Sequence, residues 1–275
     1  MLKIAVIGAS GFTGVELVKL LKKHPMQEKI DLYSFSNAGK QIKDFSDQLS
    51  DYEDILKDFS KIIYDDYDLV FFACPNGTAM NAYSDINKSN VRMVDLAADY
   101  RLDDGKIWEK YYKIKHKSPE ILSKTIYGLT EINRNEIKDA KIVANPGCYP
   151  TAAILSLYPL LKNNLIKEDR IIIDAKSGYS GAGREKIESG LSEKIKNNFI
   201  PYNFYNHRHF PEITQELNKA RDSNVEVIFS PHILPIYRGI LETIYVDLKD
   251  NFSHKDIIKI YKDFYIGENF VKIDE

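Results

Sequence analysis

The chain has 275 residues, of which 44% are hydrophobic and 28% are charged, and its formal net charge is −2. This composition is ordinary for a globular protein of one large or two smaller domains, and the charge argues against a general nucleic-acid binder. No apolar run is long enough to cross a membrane.

The first half of the chain alternates short apolar runs with helical patterns. The apolar runs cover residues 3–7, 31–35, 68–73, 91–96 and 142–144, and the first helical pattern covers residues 15–23. Uninterrupted apolar runs separated by helices are typical of a parallel sheet that is covered on both faces. The sequence therefore predicts an α/β fold with a Rossmann-type cofactor domain over residues 1–147.

A glycine-rich turn follows the first predicted strand directly. Glycines in this G-x-x-G-x-x-G spacing permit a tight turn and the close approach of a pyrophosphate, to which the next helix offers backbone N–H groups. An ordinary strand–helix turn is the alternative, but the place of the motif in a β-α-β pattern favours a dinucleotide site. The candidate cofactor-binding residues of this turn are Gly8, Ser10, Gly11, Phe12, Thr13 and Gly14.

The residues after the second predicted strand indicate which dinucleotide binds. NAD-binding folds usually carry Asp or Glu there to hold the ribose 2′-hydroxyl. This chain has no carboxylate in residues 34–40, whereas Ser36 and Lys40 could contact a 2′-phosphate. NADP is therefore favoured, although Lys40 could equally be a solvated loop lysine. Pro75 is a further candidate, because it follows a parallel strand at the end where ligands bind.

The second half of the chain predicts a separate α+β domain over residues 148–275. Apolar or alternating runs at residues 171–175, 225–229 and 241–247 indicate strands, and helical patterns cover residues 151–161, 212–221 and 255–264. This mixture predicts a mainly antiparallel sheet.

Cys148 lies between the apolar run 142–144 and the helical pattern that starts at residue 151. The N–H groups and the dipole at a helix N-terminus favour a thiolate and can hold an oxyanion. The position predicts a nucleophile that forms a thioester, although inert cysteines also occur at helix starts. Cys74, the other cysteine, is interpreted as a small buried residue, so we expect no disulfide scaffold and a reducing cytoplasm.

Residues 207–212 contain two histidines and a carboxylate, His207, His209 and Glu212. A histidine can transfer protons near neutral pH, and a carboxylate can orient it and fix its tautomer. A lone loop histidine is more often exposed or a helix cap, but this combination favours a catalytic site. The histidines have no matching set of cysteines or carboxylates, so no metal is expected.

A glycine- and serine-rich loop follows the strand predicted at residues 171–175 and is typical of an anion or nicotinamide loop. Its candidate cofactor contacts are Ser177, Gly178, Gly181 and Gly183. Arg101 and Arg184 are anion binders in principle, and either could equally be a surface arginine. Together with Asn145 they form the set of candidate substrate contacts.

Seven segments of the chain resemble one enzyme family. They are residues 8–14, 95–102, 127–131, 145–151, 177–184, 207–213 and 231–235. In this order they are similar to the N-acetyl-gamma-glutamyl-phosphate reductase family of arginine biosynthesis, from residue 1 to about residue 245.

The resemblance implies an NADPH-dependent reductase related to aspartate-semialdehyde and glyceraldehyde-phosphate dehydrogenases, with their two-domain fold. It implies that Cys148 attacks an acyl phosphate, that phosphate leaves, and that hydride releases a semialdehyde from the thioester. It further implies a histidine of residues 207–212 as acid/base, with His207 favoured over His209, and Arg101 as a phosphate ligand. The residues 177–184 would lie near the nicotinamide. The second domain is expected to be catalytic and to form a homodimer or homotetramer.

Two departures from the family's pattern are visible. An arginine is common where Phe35 stands, and its absence weakens the NADP assignment. The family usually continues with a further strand, loop and long helix, so we expect this chain to be less stable or to bind NADPH less tightly. The alternatives are an aspartate-semialdehyde dehydrogenase, a lysine-pathway acyl-phosphate reductase or, in another class, an inactive truncated dinucleotide-binding protein.

Overall fold

The computed structural model describes residues 1–274. They divide into two compact units, Met1–Pro146 and the residues from Gly147 onward. The strands are β1 (Leu2–Ile7), β2 (Gln27–Ser34), β3 (Lys57–Asp58), β4 (Leu69–Phe72), β5 (Arg92–Asp95), β6 (Ile126–Tyr127), β7 (Ile142–Ala144), β8 (Ile171–Gly178), β9 (Ile200–Pro201), β10 (Val227–Leu234) and β11 (Ile240–Tyr245). The α-helices are α1 (Phe12–Leu21), α2 (Thr78–Lys88), α3 (Gly105–Tyr112), α4 (Thr130–Asp139), α5 (Cys148–Lys162), α6 (Arg184–Glu188), α7 (Leu191–Lys194), α8 (His209–Arg221) and α9 (His254–Phe264).

The first unit contains a parallel sheet with the strand order β3-β2-β1-β4-β5-β7-β6. The side chains of β1 alternate between two apolar clusters: Ile4 and Val6 pack into one, Ala5 and Ile7 into the other. All four are at most 2% exposed. A strand buried on both faces must be apolar at every position. The prediction of a parallel sheet covered on both faces is confirmed.

Some elements begin earlier than the sequence predicts. β2 starts at Gln27, because its polar first residues pair by backbone hydrogen bonds with β1 although their side chains face solvent. Helix α1 starts at Phe12, inside the glycine-rich turn. The apolar pattern of a sequence shows which side chains are buried, whereas backbone hydrogen bonds define where an element begins and ends. A prediction from the pattern therefore misses the polar ends of strands and helices.

The second unit contains a mixed sheet with the order β11-β8-β10-β9. β8 pairs parallel with β10 and antiparallel with β11, and β9 pairs antiparallel with β10. Alternate residues of β8 are buried, beginning with Ile171 and Ile173, and α5 packs against both β11 and α8. The other side of the sheet carries exposed apolar residues, with Ile228 at 54%, Leu241 at 62% and Tyr245 at 57% exposure.

No helix within residues 1–274 has the length and apolar character that a bilayer crossing requires.

Glu242 is an uncompensated acid within this second unit. It lies on β11 opposite Ala175, on the same side of the strand as Ile240 and Ile244. Both carboxyl oxygens are enclosed and have no hydrogen-bond partner among the described residues. Burial raises the pKa of this carboxyl from 4.5 to about 8, so that it is mostly protonated at neutral pH.

Replacing this acid by an amide should flatten the pH dependence of stability. A carboxyl whose folded pKa is raised contributes fully at pH values below its unfolded pKa, and its contribution is lost as the pH rises from about 4.5 through 8. We expect the free energy of unfolding to fall across this window by on the order of 1–3 kcal/mol more in the wild type than in Glu242→Gln. Urea unfolding at several pH values measures this difference.

Glu226→Gln is the control, because Glu226 is exposed in the segment before β10. It should keep the pH dependence of the wild type. Parallel stability curves for the wild type and Glu242→Gln would contradict the expected cost of this buried acid.

Candidate functional site

The glycine-rich turn lies in close contact with the turn that follows β4. Gly8 has φ +83°, and a Cβ built on it would lie 2.2 Å from the carbonyl oxygen of Ala73. A Cβ on Gly14 would lie 2.2 Å from the carbonyl oxygen of Gly8. Two backbone segments can approach this closely only where side chains are absent.

Gly11 has a different environment and forms the N-cap of α1. A Cβ there would have its nearest neighbour at 3.4 Å, the Gly8 carbonyl oxygen. The first turn of α1, which includes Phe12 and Thr13, has no acidic residue. A helix start that lacks negative charge and is bordered by glycines suits an incoming phosphate, so the residues fit a dinucleotide.

A polar cluster follows the end of β2. The Ser10 and Ser34 hydroxyl oxygens lie 3.3 Å apart, and the Asn37 amide nitrogen donates to Ser10 Oγ at 3.2 Å and to Ser36 Oγ at 3.4 Å. Lys40 Nζ donates to the Asn37 side-chain oxygen at 3.0 Å. The structure thus brings Ser10, Ser36 and Lys40 together around Asn37. The sequence analysis did not name Ser34 and Asn37 as members of this cluster. The signal that could have identified them is the run of polar residues directly after β2.

Asp31, the acid on β2, forms a hydrogen bond and two ion pairs within the first unit. Tyr67 donates its hydroxyl to it at 2.7 Å, and the Lys29 and Lys57 ammonium groups lie at 2.9 and 2.8 Å. Burial alone would raise the pKa of Asp31, but the bonds from Lys57, Tyr67 and Lys29 lower it overall. It therefore stays ionised within its own ion-pair cluster.

The turns after β4, β5 and β7 carry three more of the predicted residues. The Pro75 carbonyl accepts the Thr78 hydroxyl at 2.8 Å. The guanidinium of Arg101, 8% exposed, donates to the Asn145 carbonyl at 2.7 Å and to the Leu96 carbonyl at 3.0 Å. Arg101 therefore fixes the backbone at Asn145, three residues before Cys148, a contact that the sequence did not indicate.

Cys74 packs against the core of the first unit. Burial, and then the negative charge of Asp95, raise the pKa of its thiol far above the ordinary value. Such a thiol is a poor nucleophile at neutral pH.

Cys148 is exposed and is the first residue of α5. Gly147 is the N-cap, and its N–H donates to the Glu212 carboxylate at 2.7 Å. Pro150 lies in the first turn, and the Thr151 N–H donates to the Gly147 carbonyl at 2.9 Å. Glu212 is 1% exposed and lies in the first turn of α8, so a buried carboxylate links the starts of both helices.

The two histidine rings and the ring of Tyr149 contact one another in a triangle. The ring of Tyr149 is 5.5 Å from that of His207 and 5.9 Å from that of His209, centroid to centroid, and the two histidine rings are 4.9 Å apart. His207 Nδ1 accepts the backbone N–H of His209 at 3.1 Å, so the proton of the neutral ring resides on Nε2. Nε2 lies 3.3 Å from the Tyr202 hydroxyl.

Hydrogen bonds continue from this ring through two phenols. Tyr202 donates to the Tyr149 hydroxyl at 3.2 Å, and Tyr149 donates to the His232 carbonyl at 3.2 Å. Burial, and then the positive charge of Arg208, lower the pKa of His207 to about 4. His207 is therefore neutral at physiological pH and has both ring nitrogens engaged.

Tyr202 lies within electrostatic reach of the nucleophile candidate. Burial raises the pKa of its phenol, and the charge of the Cys148 thiolate raises it further, against opposing effects of Tyr149 and Arg208. Sequence reasoning missed both tyrosines as members of the site. Tyr149 stands beside Cys148 in the sequence, but no local pattern around residue 202 indicated its role.

The glycine-rich loop begins at the end of β8 next to this cluster. A Cβ on Gly178 would lie 2.8 Å from the Tyr237 carbonyl oxygen, so this glycine permits a close backbone approach. A Cβ on Gly181 would lie 3.3 Å from the Ser177 hydroxyl oxygen. Gly183 has φ +91° with open space around it, and Arg184 Nη1 lies 4.0 Å from Glu188. Within residues 1–274, no group of three potential ligands could hold a metal ion.

Known protein families match both units of the chain. Residues 3–140 match the family described as semialdehyde dehydrogenase, NAD binding domain, and residues 148–275 match semialdehyde dehydrogenase, dimerisation domain. The N-acetyl-gamma-glutamyl-phosphate reductase of Pelotomaculum thermopropionicum is 43% identical over 273 residues, which cover 98% of this chain and 79% of the relative. That of Moorella thermoacetica is 42% identical and covers 99% and 80%. The chain thus spans about four fifths of the length of these relatives.

Solved structures with similar folds include aspartate semialdehyde dehydrogenases. The enzyme II from Vibrio cholerae has a TM-score of 0.73 at 16% identity and covers 94% of this chain and 78% of its own. The enzyme from Candida albicans, solved with NADP, has a TM-score of 0.64 at 17% identity and covers 94% and 75%. At such low identity the similarity concerns the fold.

Gly8→Ala should lower the stability of the protein by more than the strain of an alanine in the left-handed region alone explains. Gly8 and Gly267 share φ +83°, but a Cβ on Gly267 would have no neighbour within 4 Å. We expect Gly267→Ala to lower stability by only about 1 kcal/mol, from backbone strain. Gly8→Ala must also displace the Ala73 carbonyl, so a loss of about 3 kcal/mol or more is expected, with loss of dinucleotide binding.

Chemical denaturation and NADPH fluorescence titration of both variants measure these effects. Equal, small losses of stability in both variants would show that the close approach at Ala73 is not required.

Proposed function

This chain belongs to the N-acetyl-gamma-glutamyl-phosphate reductase family, and we propose that it reduces N-acetylglutamyl 5-phosphate to N-acetylglutamate 5-semialdehyde and phosphate with NADPH. The single observation that carries the mechanism is the exposed Cys148 at the start of α5, beside a cluster of His207, His209 and Tyr149. This arrangement suits a thiolate that forms a thioester in a step of arginine biosynthesis.

Cys148 is the proposed nucleophile. Its thiolate attacks the acyl carbon, the bond from that carbon to the phosphate oxygen breaks, and inorganic phosphate leaves with the bonding electrons. Backbone N–H groups at the start of α5 stabilise the negative charge that forms on the acyl oxygen. Glu212 supports this step by holding the Gly147 N–H, which keeps the residue before the nucleophile in place.

We assign the acid/base role to His209. The buried His207, with a pKa of about 4 and both ring nitrogens engaged, is a poor proton donor at neutral pH. Its Nδ1 accepts the His209 N–H, so it acts as a positioning residue for the first turn of α8. His209 takes the thiol proton before attack. Once the thioester has been reduced, the negatively charged oxygen forms the aldehyde carbonyl as the bond to the Cys148 sulfur breaks, and His209 returns the proton to that sulfur.

The cofactor is assigned to residues 1–147 and the acyl chemistry to residues 148–275. When bound, NADPH supplies the hydride that reduces the thioester. The glycine turn, with Ser10 and the start of α1, would hold the pyrophosphate, and Ser36 and Lys40 the 2′-phosphate. Pro75 and, separately in the second unit, the loop of residues 177–183 are proposed as further contacts of the cofactor.

The substrate contacts are proposed to be Arg101, Arg184 and Asn145, with Arg101 receiving the departing phosphate. Self-association into a homodimer or homotetramer is supported by the match to a dimerisation domain and by exposed apolar residues of the second sheet, such as Leu241 and Tyr245. A reactive thiol must stay reduced, which favours work in the cytoplasm.

The nearest alternative is an aspartate-semialdehyde dehydrogenase. The solved enzymes of that name are only 16–17% identical to this chain, whereas the N-acetyl-gamma-glutamyl-phosphate reductases named above are 42–43% identical. The two activities are distinguished by which semialdehyde supports phosphate-dependent reduction of NADP.

Cys148 should carry the acyl group when the protein meets N-acetylglutamyl phosphate without NADPH. Mass spectrometry should then find the N-acetylglutamyl mass on the peptide that contains Cys148. Cys148→Ser should lose the adduct and the activity but keep NADPH binding.

Cys74→Ser is the matched control and should keep the adduct, because the Cys74 thiol is buried. A fully active enzyme with no label on Cys148 would end the covalent mechanism.

The two histidines should differ in their effect on the pH–rate profile. We expect His209→Asn to lower kcat by roughly 10²–10⁴-fold, because it removes the acid/base group, with unchanged NADPH affinity. His207→Asn should lower kcat less and keep the profile between pH 5 and 8, since a group with a pKa of about 4 does not titrate there. Disappearance of that profile in His207→Asn alone would reverse the two assignments.

A further inference from the structure

Asp99 binds the first turn of α2 from a different part of the chain. Its side chain is 0% exposed, and its two carboxylate oxygens accept the Gly77 N–H at 2.7 Å and the Met80 N–H at 3.0 Å. Gly77 is the N-cap of α2, in the left-handed region at φ +96°, and has no side chain with which to cap the helix. Asp99, which follows the neighbouring strand β5, supplies the missing cap.

The residues around Asp99 form a closed network of hydrogen bonds. Asp95 accepts the N–H groups of Ala97 at 3.0 Å and of Asp99 at 2.9 Å. His116 Nε2 lies 2.7 Å from the Asp99 carbonyl oxygen, and Trp108 Nε1 donates to the Ala98 carbonyl at 2.7 Å. These bonds fix the backbone of Asp99, and its side chain in turn fixes the turn at Gly77.

This arrangement is expensive for the fold. Burial raises the pKa of both Asp95 and Asp99, and their proximity raises that of Asp95 further, while Arg101 partly opposes the effect. Two acids buried side by side cost stability that an apolar pair would not. In return, the network fixes the conformation of residues 73–77, which lie next to the glycine-rich turn.

The turn held by Asp99 touches the glycine-rich turn. Residues 73–77 follow β4, which lies next to β1 where the strand order reverses and where ligands bind in open α/β sheets. A Cβ built on Gly8 would lie 2.2 Å from the Ala73 carbonyl oxygen and 3.3 Å from the Cys74 Cβ. A shift of residues 73–77 would therefore alter the surface of the glycine-rich turn.

We propose that Asp99 is a positioning residue of the dinucleotide site: its carboxylate clamps residues 73–77 against Gly8, so that the binding surface is formed before NADPH arrives. The inference rests on the proposed function only in taking NADPH as the ligand. Preformed sites bind more tightly because ordering does not have to accompany binding.

Asp99→Asn tests the clamp with little change in volume. An amide can accept only one of the two N–H groups, and its NH₂ group faces the other donor, so one charge-assisted bond is lost. We expect the NADPH dissociation constant, measured by fluorescence titration, to rise about tenfold. Alkylation of the buried Cys74, mapped by peptide mass spectrometry, should become faster because residues 73–77 open more often.

Asp104→Asn is the matched control. Asp104 caps α3 by accepting the Lys106 and Ile107 N–H groups at 2.7 and 3.3 Å. Like Asp99, it is an aspartate that caps a helix, but it is exposed and has no contact with residues 73–77. It should leave both the dissociation constant and the reactivity of Cys74 at wild-type values.

Hydrogen exchange of the wild type tests the clamp without any variant, in case Asp99→Asn does not fold. The Gly77 and Met80 amides should already be strongly protected in the absence of NADPH; exchange at the rate of an open loop would overturn the inference. An unchanged dissociation constant in folded Asp99→Asn would also overturn it. A wild type that binds no NADPH would instead overturn the proposed function, and the inference with it.

Discussion

The hydrogen bond from the Gly147 N–H to the buried Glu212 carboxylate is the contact on which the proposed catalytic cluster depends. It joins two helix starts, that of α5 with Cys148 and that of α8 with His209. A charged acceptor for a backbone N–H in a buried setting is worth more than a neutral one, and it is costly to lose. Cys148 and His209, the proposed nucleophile and acid/base, thus share one anchor, which joins the starts of both helices.

The cofactor side of the protein follows a different physical logic. Its backbone segments approach closely because Gly8 and Gly14 have no side chains, and not because strong bonds hold them together. Its charge preference follows from what surrounds the end of β2: a lysine, hydroxyls and an amide, with Asp31 held in its own ion pairs. In the proposed function, backbone proximity forms the surface for the pyrophosphate, and the polar groups after β2 face the 2′-phosphate of the ribose.

Local features of the sequence predicted the parallel sheet, the glycine turn and the cysteine at a helix start. Each is written in neighbouring residues, as apolar runs, glycine spacing or a strand–helix junction. The partner of Glu212 was not predictable, because Gly147 lies 65 residues away in the chain. In addition, every residue except proline has a backbone N–H, so the sequence does not indicate which one a carboxylate binds. The hydrogen bonds of Arg101 to backbone carbonyls and the placement of Tyr202 were missed for the same reason. Side-chain chemistry can be read locally, whereas its partners depend on tertiary structure.

Pro150 in the first turn of α5 has a consequence for how products depart. Proline has no N–H, and the Thr151 N–H is already bonded to the Gly147 carbonyl, so the helix start can offer at most the two donors of Cys148 and Tyr149. Two donors suit a single acyl oxygen, whereas helix starts that retain phosphate groups present a wider set of N–H groups. In the proposed mechanism, this helix end would therefore hold the reacting carbonyl but would not retain the inorganic phosphate.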